Sequence, residues 1–211
     1  MRAGVTIFAL WAAGLGAAAQ FGKMSVAFPA LEGLYAAHLG VGIGLMLSIV
    51  GVVGLIFGTT AGLLVAQIGP KRAIVAALAV GALVSTLQAS FPPYPVMLAS
   101  RVVEGASHLA IVVVGPTMIA GLASTRYQGA AMTLWSSFFG VTYAVLYYFG
   151  PALVLEQGPA VLFYLHAGWM AALCLILALL LPKDPKSVAR PSGDLLAQHK
   201  AIYVSPFVAA P

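Results

Sequence analysis

Five ionisable residues stand inside otherwise apolar stretches of this sequence: Lys23, Arg101, Glu104, His108 and His166. Placing a charged side chain at the centre of hydrocarbon costs roughly 3 kcal/mol even on lenient scales, so such residues face a partner or a polar cavity. Arg101, Glu104 and His108 follow one another at i, i+3 and i+7, which puts all three on one face of a helix. Gly105, on the neighbouring turn, leaves room beside them. Two permanent cations (Lys23 and Arg101), one carboxylate and one imidazole can hold an anion or pass a proton. If Glu104 pairs with one cation, a net positive charge remains, which suits a small carboxylate. The same residues also have structural readings. Lys23 can extend to an interface, Arg101 and Glu104 can be an intrahelical ion pair and nothing more, and His108 can be a packed histidine. His166 is read as a packing residue.

Tyr143 and Tyr147 lie one helical turn apart and are candidates to line the same cavity. They belong to a dense aromatic set with Trp135, Phe138, Phe139, Tyr148 and Phe149, most of which is explained by packing and by anchoring at a membrane interface. No nucleophile and base pair, metal-ligand spacing, phosphate loop or dinucleotide fingerprint appears, so the sequence implies neither an enzyme nor a cofactor. The single cysteine, Cys174, excludes a disulfide within the chain and reads as a small packed hydrophobe.

The elements that position these residues follow from composition. Ten basic and five acidic residues among 211, with 62% apolar and a mean hydropathy of +1.02, leave too little polar surface for a fold in water. A helix that crosses the hydrocarbon core needs about 20 mostly apolar residues. Six runs satisfy this, over 4–28, 41–66, 73–91, 95–122, 130–155 and 159–182. The fold expected is all-α: a bundle of six transmembrane helices occupying 1–182. Residues 183–200 form a polar linker. Residues 201–211 are apolar again but reach only about 16 Å as a helix, half a span, and are read as the start of a seventh helix.

Loop charges orient the bundle. Arg2, Lys71, Arg72, Arg126, Lys183, Lys186, Arg190 and Lys200 fall on one side, while the loops near 31–40, 91–95 and 156–158 contain no Lys or Arg. The positive-inside rule then makes the N-terminus and the linker cytoplasmic. It also accounts for the basic pI without nucleic acid. The opening residues through Ala19 could pass for a cleavable signal, but the basic region is one arginine and the apolar run continues to Phe28, which suits a retained helix.

Between the second and third spans the chain reads Gly62-Leu63-Leu64-Val65-Ala66-Gln67-Ile68-Gly69-Pro70-Lys71-Arg72. Upstream, Gly51, Gly54, Gly58 and Gly62 mark a small-residue stripe that would let another helix approach closely. The loop resembles the signature of the major facilitator superfamily through Gly62, Gly69, Lys71 and Arg72. It departs from it at Ala66, where the family has aspartate, and at Gln67, where it has a base. Arg101-Val102-Val103-Glu104-Gly105 resembles the family's arginine, two residues, glutamine, glycine pattern in helix four, with Glu104 in place of glutamine. Val26 to Leu31, at the end of helix one, is also similar to the family.

The resemblance implies that the chain is the first half of a twelve-helix secondary transporter. Helices one and four would then line the central cavity, helix six would be peripheral, and the 2–3 loop would latch the two halves. Set in that cavity, the charge balance of the residues themselves leads to the expectation of an anionic small-molecule substrate held by Lys23, Arg101, Glu104, His108, Tyr143 and Tyr147, in a symporter or antiporter of the inner (cytoplasmic) membrane. The partners implied are the lipid bilayer and a C-terminal six-helix half or a second copy. A non-transporting membrane scaffold is the competing expectation. A channel fits less well, because nothing resembles a selectivity filter.

Overall fold

In hydrocarbon every backbone amide must find its partner within its own segment, and helices meet that demand nearly throughout this chain. The computed structural model describes residues 2–38 and 41–184. Eight α-helices follow in order: α1 (Arg2–Leu34), α2 (Val41–Phe57), α3 (Ala61–Ile68), α4 (Pro70–Ala89), α5 (Tyr94–Leu122), α6 (Gln128–Ser136), α7 (Phe138–Gln157) and α8 (Ala160–Leu180). No strand occurs among the described residues. α4 packs against α8 and α5, α2 against α5, and α1 against α5, α7 and α8. α1 is the central helix. Ala13, Ala17, Ala18 and Ala27 are fully buried along it, and their small side chains let neighbouring helices close on it.

The expected spans 73–91, 95–122 and 159–182 match α4, α5 and α8 to within a few residues. The first is longer than expected and runs through Pro29 to Leu34. The fifth, expected over 130–155, is α6 and α7 joined at Ser137. Together they make one apolar 30-residue segment.

The second span is a correction. Instead of one helix over 41–66, the chain bends by 79° between α2 and α3. The local cause is Gly58-Thr59-Thr60: the Thr60 hydroxyl and amide both donate to the Phe57 carbonyl, which ends the helix, and a Cβ on Gly58 would strike the Gly54 carbonyl oxygen. Among the described residues no other helix packs on the glycine stripe. Gly51, Gly54 and Gly62 look into open space, and Gly58 meets only its own helix. The crook of the bend holds an apolar cavity of about 660 Å³ bordered by Phe57, Leu64, Val102 and Ala106. The close approach of α2 and α5 is made instead at Gly105, whose position would bring a Cβ to 2.8 Å from the Val50 carbonyl oxygen.

Two apolar layers fill the bundle. One gathers Leu10, Ile74, Leu78, Ile111, Met170 and Leu177, the other Met24, Leu31, Met46, Met97 and Phe163. Between them, along α1, α4, α5 and α8, lies a polar layer. The linker beyond Asp184 and the seventh helix expected over 201–211 lie outside the described residues.

Candidate functional site

The polar layer is built from residues that share helix faces. Gln20 and Lys23 are one turn apart on α1, Ser85 and Gln88 on α4, and Arg101, Glu104 and Ser107 on α5, with His166 facing them from α8. Lys23, Arg101 and Glu104 are each 0% exposed. Lys23 Nζ donates to Glu104 Oε1 at 2.6 Å and to Ser85 Oγ at 2.8 Å, and lies 3.1 Å from His166 Nδ1. Its three hydrogens are therefore spent inside the bundle, and it does not extend to an interface. Glu104 Oε2 accepts from Gln88 Nε2 at 2.8 Å and from Arg101 Nη1. Arg101 also ties three helices together. Its Nε donates to the Met46 carbonyl of α2 at 2.8 Å, and its Nη1 to the Gln20 carbonyl of α1 at 2.8 Å.

His166 is the second correction to the sequence reading, since it stands inside this network and is not a bland packing residue. Its Nε2 lies 3.0 Å from the Gly16 carbonyl, which can only accept, so Nε2 carries the hydrogen. Nδ1 then presents its lone pair to the Lys23 ammonium. Nδ1 faces both the Lys23 ammonium at 3.1 Å and the Ser85 hydroxyl at 2.9 Å, and it can accept from the ammonium only while it carries no hydrogen of its own. Ser85 completes the circuit by accepting from Lys23 and donating to the Phe163 carbonyl at 2.9 Å. Counted together, two cations and one carboxylate leave the layer with an excess positive charge. Three buried polar atoms have no hydrogen-bond partner among the described residues: Arg101 Nη2, Gln20 Oε1 and Gln88 Oε1.

The other candidates sit outside this network. His108 Nδ1 bonds the Ala17 carbonyl at 3.0 Å, and its ring meets Phe21 edge-on with centroids 5.0 Å apart. Tyr143 and Tyr147 stack on each other at 5.7 Å, with Tyr147 54% exposed. Beside the layer, between α1, α7 and α8, an apolar cavity of about 340 Å³ reaches Lys23 and His166 past Leu146, Phe149 and Trp169.

At one end of the bundle, the α3–α4 loop turns on Gly69 at φ +96°. Ala66 leaves this loop without its own acid, and Asp184, just past α8, brings one. Its carboxylate accepts from the backbone amides of Lys71 at 2.9 Å and Arg72 at 3.1 Å, and Lys71 Nζ donates to the Leu181 carbonyl. Gly62, placed with Gly69, Lys71 and Arg72 in the sequence reading, stays on the open side of α3 and joins none of these contacts.

Residues 7–209 match the family profile described as Major Facilitator Superfamily. The chain belongs to the major facilitator superfamily. No curated protein matches it. Membership in the major facilitator superfamily makes the long apolar helices membrane spans in contact with lipid, and makes transport the general activity. Sequence reasoning missed Gln20, Ser85, Gln88, Ser107 and His166 as members of the layer. The signal available for four of them was spacing, because Gln20, Ser85, Gln88 and Ser107 each stand three residues from another polar residue within a span.

Proposed function

We propose that this chain is the N-terminal six-helix half of a secondary active transporter that moves a small anionic solute by alternating access. The observation that supports this best is the buried excess of positive charge, in which Arg101 keeps an unpartnered Nη2 donor. A charge buried in a membrane protein without a counter-charge is costly, and a substrate carboxylate would supply the counter-charge. Arginine suits the task because its planar fork can take a carboxylate with two parallel hydrogen bonds.

Charge balance links this to protons. A proton on Glu104 would weaken its hold on Lys23 and Arg101 and free both donors for the substrate. The layer would then gain one positive charge from the proton and one negative charge from the anion, and its net charge would not change. Symport of an anion with a proton therefore requires the least rearrangement of buried charge. His108, with Nδ1 tied to Ala17, keeps Nε2 as a second candidate proton site. In this reading Lys23, Arg101, Glu104, His108, Tyr143 and Tyr147 form the substrate site. Gly62, Gly69, Lys71 and Arg72 belong to the gating loop. A second six-helix unit closes the cavity from the far side, and the N-terminus lies in the cytoplasm of a cell whose cytoplasmic membrane holds the protein.

The test is uptake by the full-length protein in proteoliposomes, with a panel of organic anions and cations under an imposed pH gradient. Anion uptake that rises with an inward proton gradient and falls at least tenfold in Lys23→Ala and in Arg101→Ala is expected. Anion transport that survives both substitutions at normal protein levels would remove the positive site from the mechanism.

A further inference from the structure

On the side of α5 where His108 stands, five rings from three helices form a continuous ladder. Phe21 of α1 meets His108 of α5 at 5.0 Å. Phe139 of α7 lies 6.4 Å from Phe21 and 6.2 Å from His108. From Phe139 the ladder continues along α7 to Tyr143 at 6.1 Å and Tyr147 at 5.7 Å, both close to parallel stacking at 26° and 23°. Unlike the ionic layer, the ladder is open. Phe139 and Tyr147 are 39% and 54% exposed, and none of the five is fully buried.

The ladder and the ionic layer are adjacent. Phe21 follows Gln20 directly on α1, and His108 follows Glu104 by one helical turn on α5, with its Nδ1 on the Ala17 carbonyl of α1. An open run of rings alone would suit an organic cation as well as an aromatic ligand, because ring faces attract positive charge. The neighbouring excess of positive charge disfavours the cation. What remains complementary is a flat apolar ring for the ladder and a negative group for Arg101.

We infer that the solute is an aryl carboxylate, whose ring stacks on the Phe139–Tyr143–Tyr147 ladder while its carboxylate reaches the unpartnered donor of Arg101. This rests on the anion reading proposed above and narrows it to a chemical class. Tyr143 and Tyr147 are then specificity residues, and they select among anions by ring shape without supplying the charge.

The experiment is calorimetric binding of three monocarboxylates of equal charge to the full-length protein in detergent: benzoate, cyclohexanecarboxylate and acetate. An aromatic pair is worth a few-fold to about tenfold beyond the area it buries. Benzoate is therefore expected to bind about threefold to tenfold tighter than cyclohexanecarboxylate, and both tighter than acetate. Tyr147→Leu, at a half-exposed position that the core does not need, should erase the benzoate preference, bringing the benzoate and cyclohexanecarboxylate affinities to within about twofold of each other. Tyr143→Leu should do the same, and a folded protein is confirmed by its elution profile. If benzoate binds no better than cyclohexanecarboxylate while all three still bind, the ring inference falls and the anion reading stands. If no carboxylate binds and organic cations do, both fall. If Tyr147→Leu disrupts assembly and leaves the preference intact, the ladder is a packing face for neighbouring helices, and the inference is overturned.

Discussion

Arg101 is held by more than its charge partner, and this changes what a substitution there can test. Exchanging it with Glu104 would preserve an intrahelical ion pair of the same spacing, and on sequence grounds alone the exchanged pair should keep the fold. The structure predicts otherwise. A carboxylate at position 101 would face the carbonyl oxygens of Met46 and Gln20, which now accept from the guanidinium, and a guanidinium at 104 would face the Lys23 ammonium. Both ends of the exchanged pair would meet like partners. The double variant Arg101→Glu, Glu104→Arg should therefore lose about 3–5 kcal/mol of stability, the magnitude of a broken buried ion pair. This would be read as a large drop in the thermal unfolding midpoint in detergent. An exchanged protein as stable as the original would show that the carbonyl contacts contribute little. The charged members of this layer were legible in the sequence because a charge in an apolar run is conspicuous. Ser85, Gln88 and Gln20 were not, because a neutral polar residue costs far less to bury and carries no such alarm. His166 was misjudged because its role depends on which carbonyl its ring meets, and that is decided by how α8 packs on α1.

Helices were legible where length and hydropathy alone decide them, as in α4, α5 and α8. The bend between α2 and α3 was not, since a glycine four residues from the next reads equally well as a packing stripe or as a place where a helix can stop. The loop that follows shows how an element end can be completed from elsewhere in the chain. The first amides of α4 have no partners within their own helix, and the sequence near Gly69 offers no side chain to cap them. Asp184 reaches them from beyond α8, where its negative charge also meets the positive end of the α4 dipole. Asp184→Ala should cost about 1 kcal/mol, as loss of a cap does. Gly69→Ala should cost more, by about 1–3 kcal/mol, because φ of +96° disfavours a side chain and because a Cβ there would lie 2.5 Å from the Asp184 carboxyl carbon. Thermal unfolding of the single and double variants separates the two contributions. If Asp184 is the source of the crowding, adding Asp184→Ala to Gly69→Ala should cost less than the sum of the singles. Strict additivity would mean that backbone strain at Gly69 is the whole effect.

Over the whole molecule, every loop cation of the sequence belongs to one side of the six-span reading, and the described contacts agree with that grouping. Lys71, at the start of α4, bonds the Leu181 carbonyl at the end of α8, which brings two of the basic segments to the same end of the bundle. At the other end, Tyr35 donates to the Pro92 carbonyl and Tyr94 to the Gly42 carbonyl, so the loops without Lys or Arg meet one another as well. Such an arrangement makes orientation a single two-way choice, because the ends cannot be inverted separately without breaking these contacts. Cationic loops resist translocation, so the end carrying Lys71, Arg72 and Arg126 should lie in the cytoplasm. The prediction is checked in a Cys174→Ala background with a membrane-impermeant maleimide. Ala37→Cys, exposed in the short helical turn after α1, should be labelled in intact cells. Arg126→Cys, exposed between α5 and α6, should be labelled only after the cells are broken, and Ser187→Cys should behave like Arg126→Cys. Labelling of Arg126→Cys and Ser187→Cys from outside, with Ala37→Cys protected, would reverse the bundle. Labelling of Ala37→Cys and Arg126→Cys from the same side would do more damage, because an even number of crossings would then separate α1 from α6 and the count of spans itself would be wrong.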